Sequence, residues 1–265
     1  MPIKIATWNI NSVRIRIPLL QRLVAQENPD IICLQETKTE DASFPLDALK
    51  SLGFPHIAFS GQKSYNGVAI LSKHKISNIN CLEIASSADK RHISVEIGGG
   101  VTLHNFYVPA GGDIPDPKQN PAYDFKLRFV EHMTSWSQEL KKSKQNAIIL
   151  GDFNIAPLPH DVWSHKQLIN VVSHTEPEVT RLNALKNSYN WCDVGRHFVD
   201  AEQKLYSWWS YRNRDWRKSD RGRRLDHIWV TPSLAPALKN FTILKDSRDW
   251  ESPSDHVPVL AEIDL

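Results

Sequence analysis

The sequence predicts an α/β sandwich: two packed mixed β-sheets flanked by helices. Three observations carry this. Short strand-like segments recur in two similar halves, apolar stretches with helical spacing interrupt them, and no linker or repeat divides the chain. At 265 residues and 30.3 kDa the chain is long enough to bury a large core, and residues 1–265 read as one domain. Hydrophobic residues make up 41% and charged residues 23%, a balance that excludes disordered and low-complexity classes. The 32 Lys and Arg against 30 Asp and Glu leave a net charge of +2, so any surface for a polyanion must be local.

The elements follow in order. Residues 3–8 alternate apolar and polar side chains, as a half-buried strand does. Pro18 opens a stretch with Leu19, Leu20, Leu23 and Val24 at helical spacing. Residues 30–34 form a short, nearly all-apolar strand, and further strands are expected at 56–60, 67–72, 76–84, 92–97 and 101–107. Gly98-Gly99-Gly100 reads as a hairpin turn between the last two. Phe125, Phe129, Met133 and Trp136 give residues 123–140 an apolar helical face, suited to core packing. Residues 146–150 make a buried strand. A loop-rich middle follows, and the last strands are expected at 205–211, 225–231, 241–245 and 257–263.

Cys33, Cys81 and Cys192 lie far apart, which argues against a disulfide framework and a cysteine zinc site. The N-terminal residues read as a strand rather than a signal peptide. No apolar run approaches the roughly 20 residues needed to cross a bilayer. A cytoplasmic, monomeric protein with no membrane partner is expected.

Chemistry-bearing residues collect at the ends of the strands. Asn9 and Asn11 follow the first strand, Glu36 follows 30–34, Tyr107 closes 101–107, and Asp152 and Asn154 follow 146–150. Asp226 opens 225–231, and Asp255-His256 precedes 257–263. In a mixed sandwich the end of one strand and the start of its antiparallel neighbour share an edge, so these groups can converge on one rim. Gly151-Asp152-Phe153-Asn154 offers a carboxylate and an amide two residues apart, able to hold and deprotonate a water. Taken alone it equally describes an Asx-rich turn. Asp255-His256, with Asp226 elsewhere, fits a histidine oriented by a carboxylate. Glu36, directly after an apolar strand, is costly unless paired with Lys38 or another cation, or metal-bound. Carboxylates of this kind suit Mg2+ or Mn2+, hard ions that keep oxygen ligands, and no His-rich or thiolate cluster offers a zinc alternative.

Seven motifs occur in order: Trp8-Asn9-Ile10-Asn11-Ser12-Val13-Arg14, Leu34-Gln35-Glu36-Thr37-Lys38, Tyr65-Asn66-Gly67-Val68-Ala69, Tyr107-Val108-Pro109, Gly151-Asp152-Phe153-Asn154-Ile155-Ala156-Pro157, Arg224-Leu225-Asp226 and Ser254-Asp255-His256. Together they resemble the exonuclease III family of bacterial AP endonucleases, within the endonuclease/exonuclease/phosphatase superfamily, from residue 3 to about 263. The resemblance implies a four-layered, DNase I-like α/β sandwich with a metal at its rim. It makes Glu36 the principal metal ligand, with Asn9, Asp152, Asn154, Asp255 and His256 near the metal or the phosphate. Asp152 would activate the attacking water and Asn154 would position it. His256, oriented by Asp226, would stabilise charge developing on the phosphate, and Tyr107 would hydrogen-bond that phosphate. Two departures bear on substrate preference. Ala110 stands where many relatives place an amide, and Arg223 where some carry a bulky aromatic. The abasic-sugar pocket is then more polar, or closed by Trp208 and Trp209.

Residues 208–224 hold seven Lys and Arg against two Asp, interleaved with aromatics. Such a segment can neutralise phosphates and pack against an unstacked or abasic gap. The DNA-contact candidates in it are Trp208, Trp209, Arg212, Arg214, Trp216, Arg217, Arg221 and Arg223. Asn11, Arg14, Lys63, Tyr65 and Asn66 join them from earlier loops, with Arg91 and Arg181 as weaker candidates. The remaining histidines stand at no motif position and read as surface or structural. The function this implies is a metal-dependent phosphodiesterase that cleaves double-stranded DNA 5′ to abasic sites. It would leave a 3′-hydroxyl and also act on recessed or blocked 3′ ends as a 3′→5′ exonuclease and 3′-phosphatase. The alternatives are a superfamily phosphatase for inositol phosphates or sphingolipids, and a catalytically silent nucleic-acid-binding module. The basic segment argues against the first and the intact catalytic set against the second.

Overall fold

In a computed structural model, residues 2–213 and 215–265 are described, so Arg214 of the basic segment lies outside the described residues. The first half runs β1 (Ile3–Asn9), α1 (Ile17–Glu27), β2 (Ile31–Gln35), α2 (Leu46–Lys50), β3 (His56–Ser60), β4 (Val68–Ser72), β5 (Ser77–Asn80), β6 (His92–Ile97) and β7 (Val101–Tyr107). The second runs α3 (Pro121–Lys142), β8 (Ala147–Asp152), α4 (His165–Leu168), α5 (Glu176–Ser188), β9 (Cys192–Asp193), α6 (Val194–Phe198) and β10 (Trp208–Trp209). It closes with α7 (Trp216–Ser219), β11 (Gly222–Arg223), β12 (Asp226–Val230), β13 (Leu238–Ile243) and β14 (Val259–Ile263).

The strands form two six-stranded mixed sheets, ordered β13-β14-β1-β2-β4-β3 and β5-β6-β7-β8-β12-β9, with β10 and β11 as a separate ribbon. Because side chains alternate across a strand, each sheet buries two faces. Between the sheets, Ile5, Ile31, Cys33, Val68 and Ile70 meet Val95, Leu103, Ile148, Leu150 and Ile228. On the outer face of the first sheet, Trp8, Ile32, Leu34 and Leu71 pack against Leu20 and Leu23 of α1, Leu49 of α2 and Trp250. On the outer face of the second, Phe106, Ile149 and Trp229 pack against Phe129 and Met133 of α3 and Leu182 and Leu185 of α5. Each such buried aliphatic side chain contributes about 1.5–3 kcal/mol. The predicted four layers are therefore present; of the α3 residues expected in the core, Phe129 and Met133 are buried, while Phe125 and Trp136 are half-buried at its edge.

One polar link crosses the central apolar layer. Asn105 of β7 donates from Nδ2 to the carbonyls of Leu34 (2.9 Å) and Ala69 (3.0 Å), and its Oδ1 accepts from Gln35 Nε2 at 2.7 Å. Buried polar groups persist when bonded in this way, and here they hold one sheet against the other in a single register.

Several expected boundaries move. The strand expected at 76–84 shortens to Ser77–Asn80, an exposed edge with a register shift, and the chain then turns so that Leu82 N donates to His92 Nδ1. The strand expected at 205–211 survives only as Trp208–Trp209, because its backbone serves several partners: Leu205 N donates to His160, Ser207 N to Arg223 and Trp209 N to Asp255. The strand expected at 241–245 begins earlier, at Leu238, and gives way to a 3-10 turn at Lys245. The one expected at 257–263 starts at Val259, since Pro258 has no N–H for the ladder. The middle read as loop-rich contains α5. Its apolar face is narrow, but Thr175 and Glu178 form a capping box with Pro177 in the first turn, which is a legible start signal. No helix among the described residues is long and apolar enough to cross a membrane.

Candidate active site

Topology decides where the polar residues meet. β1 runs parallel to β2, and β7 parallel to β8, so the C-terminal ends of these four strands lie on one rim. β14 and β12 run antiparallel to β1 and β8 and begin at that same rim, with Asp226 directly opposite Asp152. Asn9, Glu36, Tyr107, Asp152, Asp226 and His256 are thereby brought together, as expected. The backbone is turned back on itself around them: Asn11, Glu36, Lys38 and Asn154 have φ of 47°, 51°, 52° and 53°. Non-glycine residues held in the left-handed region store strain that the surrounding packing must maintain.

Asp152 is fully buried and accepts bonds from two amides, Asn9 Nδ2 at 2.9 Å and Asn154 Nδ2 at 3.0 Å, both at Oδ2. Its Oδ1 accepts the backbone N–H of Asn154 at 2.9 Å. Asn9 also donates to Glu36 Oε1 at 2.8 Å, and the Tyr107 hydroxyl donates to the same oxygen at 2.9 Å. Lys38 Nζ stands 2.8 Å from Glu36 Oε2, the ion pair considered as the alternative to a metal-ligating role. His256 Nδ1 lies 2.8 Å from Asp226 Oδ2, and its Nε2 lies 3.6 Å from Asp152 Oδ2. Ser207 Oγ also donates to Asp226 Oδ2, at 2.6 Å, and Ser254 Oγ donates to the Asn9 carbonyl at 2.7 Å, fastening the loop that carries His256. Ser254 belongs to the Ser254-Asp255-His256 motif, whereas Ser207 was not singled out from the sequence; its only signal was its nearness to Trp208.

Charge follows from this arrangement. Burial works against a charged His256, but the Asp226 and Asp152 carboxylates outweigh it and raise the imidazole to about 10. His256 is therefore a cation at neutral pH. Burial pushes the Asp152 carboxyl up, with the His256 charge opposing that shift. Burial also works to raise Glu36, but the Asn9 and Lys38 hydrogen bonds prevail and hold it below its usual value. Tyr107 is raised well above 10 by burial and by the Glu36 and Asp152 charges, so it stays a neutral donor.

Asp152, Asp226 and His256 offer ligand atoms within 4.8 Å of one another. A protonated histidine between two carboxylates is an ion-paired relay, however, and would have to lose its proton to ligate. Asn9 enters as a donor to Glu36 and Asp152, with its own Oδ1 accepting from Asn11 N at 3.1 Å, so the ligand role expected for Asn9 does not fit this arrangement. His256 bonds Asp226 through Nδ1 and faces Asp152 through Nε2. Glu36 and Asp255 remain as all-oxygen donors lining the cleft, the chemistry a hard divalent ion requires. Asp255 Oδ2 accepts from Trp208 Nε1 at 2.9 Å.

The site opens into a cleft of about 570 Å³ lined by Glu36, Asp152, Asn154, Asp255, His256 and, across from sequence-distant loops, Trp163, Trp208, Arg212, Arg221 and Arg223. Arg14, Lys63 and Tyr65 are exposed. The 61–67 loop is fixed beside the Glu36 turn by Lys38 N, which donates to the Asn66 carbonyl at 2.9 Å. Four expected DNA contacts are corrected. Trp209 and Trp216 are buried together in a small cluster with Tyr206 and Val257, and their indole N–H groups bond Asp220 and Asp249. The Asn66 side chain is buried against Gln62. Arg217 is exposed but committed to Asp246 and Asp249. Arg91 packs over the Tyr107 ring at 4.7 Å, and Arg181 pairs with Glu131 between α5 and α3, in the outer helical layer.

Two buried ion pairs support the site and were not foreseen. Arg224 bridges Asp161 and Asp193, each at 2.9 Å, and Lys126 pairs with Glu178 at 2.5 Å. Lys126 Nζ also donates to the carbonyls of Asn154 (2.8 Å) and Ala110 (3.1 Å), tying α3 to both loops that edge the cleft.

Residues 6–256 match the model of the Endonuclease/Exonuclease/phosphatase family. Among similar proteins, exodeoxyribonuclease III of Haemophilus influenzae is 29% identical over 98% of this chain and 99% of its own length. Among solved structures, an AP endonuclease from Archaeoglobus fulgidus superposes with a TM-score of 0.91 at 32% identity, covering 99% of this chain and 100% of that one. A 3′ phosphatase from Neisseria, bound to a product DNA hairpin, gives 0.90 at 32% identity with the same coverage.

Proposed function

Since the chain belongs to the endonuclease/exonuclease/phosphatase family, we propose that it is a DNA-repair phosphodiesterase that hydrolyses the backbone 5′ to abasic sites and trims recessed or blocked 3′ ends. The observation that carries this is the pairing of a buried, amide-held Asp152 with a cationic His256 in one cleft. Hydrolysis requires a positioned nucleophile and stabilisation of charge on the phosphate. Asp152, held by Asn9 and Asn154, takes the proton of the attacking water. The water oxygen bonds to phosphorus, the P–O3′ bond breaks, and the 3′-oxygen departs with the bond's electron pair and takes a proton from solvent to become a hydroxyl. His256, kept charged by Asp226, hydrogen-bonds the phosphate oxygens, and Tyr107 is a second neutral donor beside them. A divalent cation, Mg2+ or Mn2+, would be held by Glu36 with Asp255 nearby and would supply further charge neutralisation. Arg14, Lys63, Tyr65, Arg212 and Arg221, exposed on the surrounding loops, are the contacts to the duplex. The protein acts as a monomer in the cytoplasm.

The test uses duplexes carrying either one tetrahydrofuran abasic analogue or a 3′-phosphate, incubated with Mg2+, with EDTA and with the Asp152→Asn protein. Mg2+-dependent incision 5′ to the analogue or release of phosphate, abolished by EDTA and reduced roughly 10²–10⁴-fold in the variant, supports the assignment. Full activity in the Asp152→Asn protein would overturn it.

A further inference from the structure

Both oxygens of the Glu36 carboxylate are already engaged. Oε1 accepts from Asn9 Nδ2 and from the Tyr107 hydroxyl, and Oε2 faces Lys38 Nζ at 2.8 Å. The same ammonium donates to Asn11 Oδ1 at 2.6 Å, and Asn11 Nδ2 donates to Asp255 Oδ1 at 3.4 Å. Lys38 and Asn11 therefore bridge Glu36 and Asp255, the two all-oxygen donors of the cleft. The turn that carries the lysine is fixed by three backbone bonds: Lys38 N donates to the Asn66 carbonyl, Thr37 N to the Gly67 carbonyl and Ser12 N to the Glu36 carbonyl. Gly67 has φ of 91°, and a Cβ there would overlap Thr37 Oγ1, so glycine lets the 61–67 loop close against the turn. With its backbone held, the lysine folds inward. Its side chain is 29% exposed, and Glu36 is the one carboxylate within ion-pair distance of it among the described residues.

A hard divalent ion seeks the carboxylate oxygen that Lys38 already holds. It must displace the ammonium or settle beside it, and like charges at such range repel strongly where water is partly excluded. We propose that Lys38 is an internal counter-ion: it neutralises Glu36 in the metal-free protein and competes with the divalent cation for it, so that the cation binds weakly. This competition rests on Glu36 holding the metal, as read above. The ion pair and the metal site, alternatives for Glu36 in the sequence, are then two states of one carboxylate. Lysine suits the exchange because its ammonium is a compact charge on a flexible stem, able to leave Oε2 without movement of the backbone.

The experiment titrates Mn2+ into the DNA-free protein and follows the free ion by its electron paramagnetic resonance signal. Glu36→Gln identifies the site, since the binding it loses is the binding that counts. Lys38→Met keeps the stem and removes the charge, and should bind Mn2+ at that site about tenfold or more tightly than the wild type. Lys38→Arg keeps the charge and should stay within about threefold of the wild type. Melting temperatures give a second readout. Lys38→Met should melt below the wild type in EDTA and recover in saturating Mn2+, because a ligand of the native state stabilises it by mass action. A lysine that merely packs would cost the same in both conditions, and that result overturns the competition. Mn2+ affinity in Lys38→Met equal to or weaker than that of the wild type also overturns it and leaves the metal site intact. Unchanged Mn2+ binding in Glu36→Gln removes the metal reading of Glu36 and the competition with it. Lys38→Gln, also neutral, replaces Lys38→Met if the latter folds poorly.

Discussion

His256 draws its charge from two carboxylates, and the two contribute differently. Asp226 makes the close contact, 2.8 Å to Nδ1, and is itself bonded by Ser207, whereas Asp152 lies 3.6 Å from Nε2 on the cleft side. Replacing Asp226 by Asn keeps the size of the side chain and removes the charge. The imidazole, raised to about 10 by these partners, should then fall back toward its ordinary value. Because the cation is the working form, activity is lost as pH rises through that pKa, so the alkaline limb of the pH–rate profile should move to lower pH. The rate at neutral pH should drop roughly 10²–10⁴-fold. An unchanged alkaline limb, measured under single-turnover conditions, would separate Asp226 from the charge on His256. Most residues of this constellation were legible in the sequence because each is a polar group at the end of an apolar run. What was not legible was direction: Asn9 reads as a ligand until its amide is seen donating to Glu36 and Asp152.

At the scale of elements, α3, α5 and the end of β8 are joined through one buried ion pair. Lys126 and Glu178 are fully buried, and Glu178 also accepts from Ser173 N and from Thr175 N and Oγ1. Removing one partner of such a pair leaves a buried charge that costs about 3–5 kcal/mol, while an apolar pair of similar volume can be nearly neutral. Lys126→Met should therefore melt well below the wild type, and Lys126→Met with Glu178→Leu should recover much of the loss; strict additivity in thermal denaturation would count against this coupling. The lysine was hidden in the sequence because it sits on the same helical face as Phe129 and Met133 and looks like an ordinary polar interruption. Glu178 is legible as the capping residue that starts α5, but not as a partner for Lys126, and the narrow apolar stripe of α5 falls below what periodicity alone detects. Strand ends were misjudged where loop backbones, such as Leu205 to Trp209, bond to other loops instead of to a ladder.

For the molecule as a whole, buried neutral histidines weaken stability in acid. His92, His104 and His227 are each lowered by burial, His104 to about 3 and His227 to about 4. The unfolded chain binds protons on these rings below about pH 6.5 and the folded chain does not, so their contribution to stability is complete above that pH. It is lost as pH falls from about 6.5 toward the folded values, at up to about 1.4 kcal/mol per pH unit for each ring. Chemical denaturation at pH 7 and pH 4.5 should show a marked drop, with His104→Gln flattening the dependence; equal stability at both values would refute the sign. The two-sheet architecture behind this was readable from strand count and alternation, while Asn105 and Gln35, which lock the sheets together, were not, since an amide inside a strand carries no label for the sheet it will face.

The catalytic bonds cross the seam between the sheets: Asn9 of the first reaches Asp152 of the second at 2.9 Å, and Tyr107 of the second reaches Glu36 of the first at 2.9 Å. The apolar side chains between the sheets therefore act as a spacer that gauges those bonds. A methylene gained or lost at Cys33, Val68, Leu103 or Leu150 alters the gap by a fraction of an ångström, too little to unfold the chain but enough to misalign a proton transfer. Substitutions at these inner positions should then be felt in turnover as much as in stability, and a gain in volume on one sheet should be offset by an equal loss on the other.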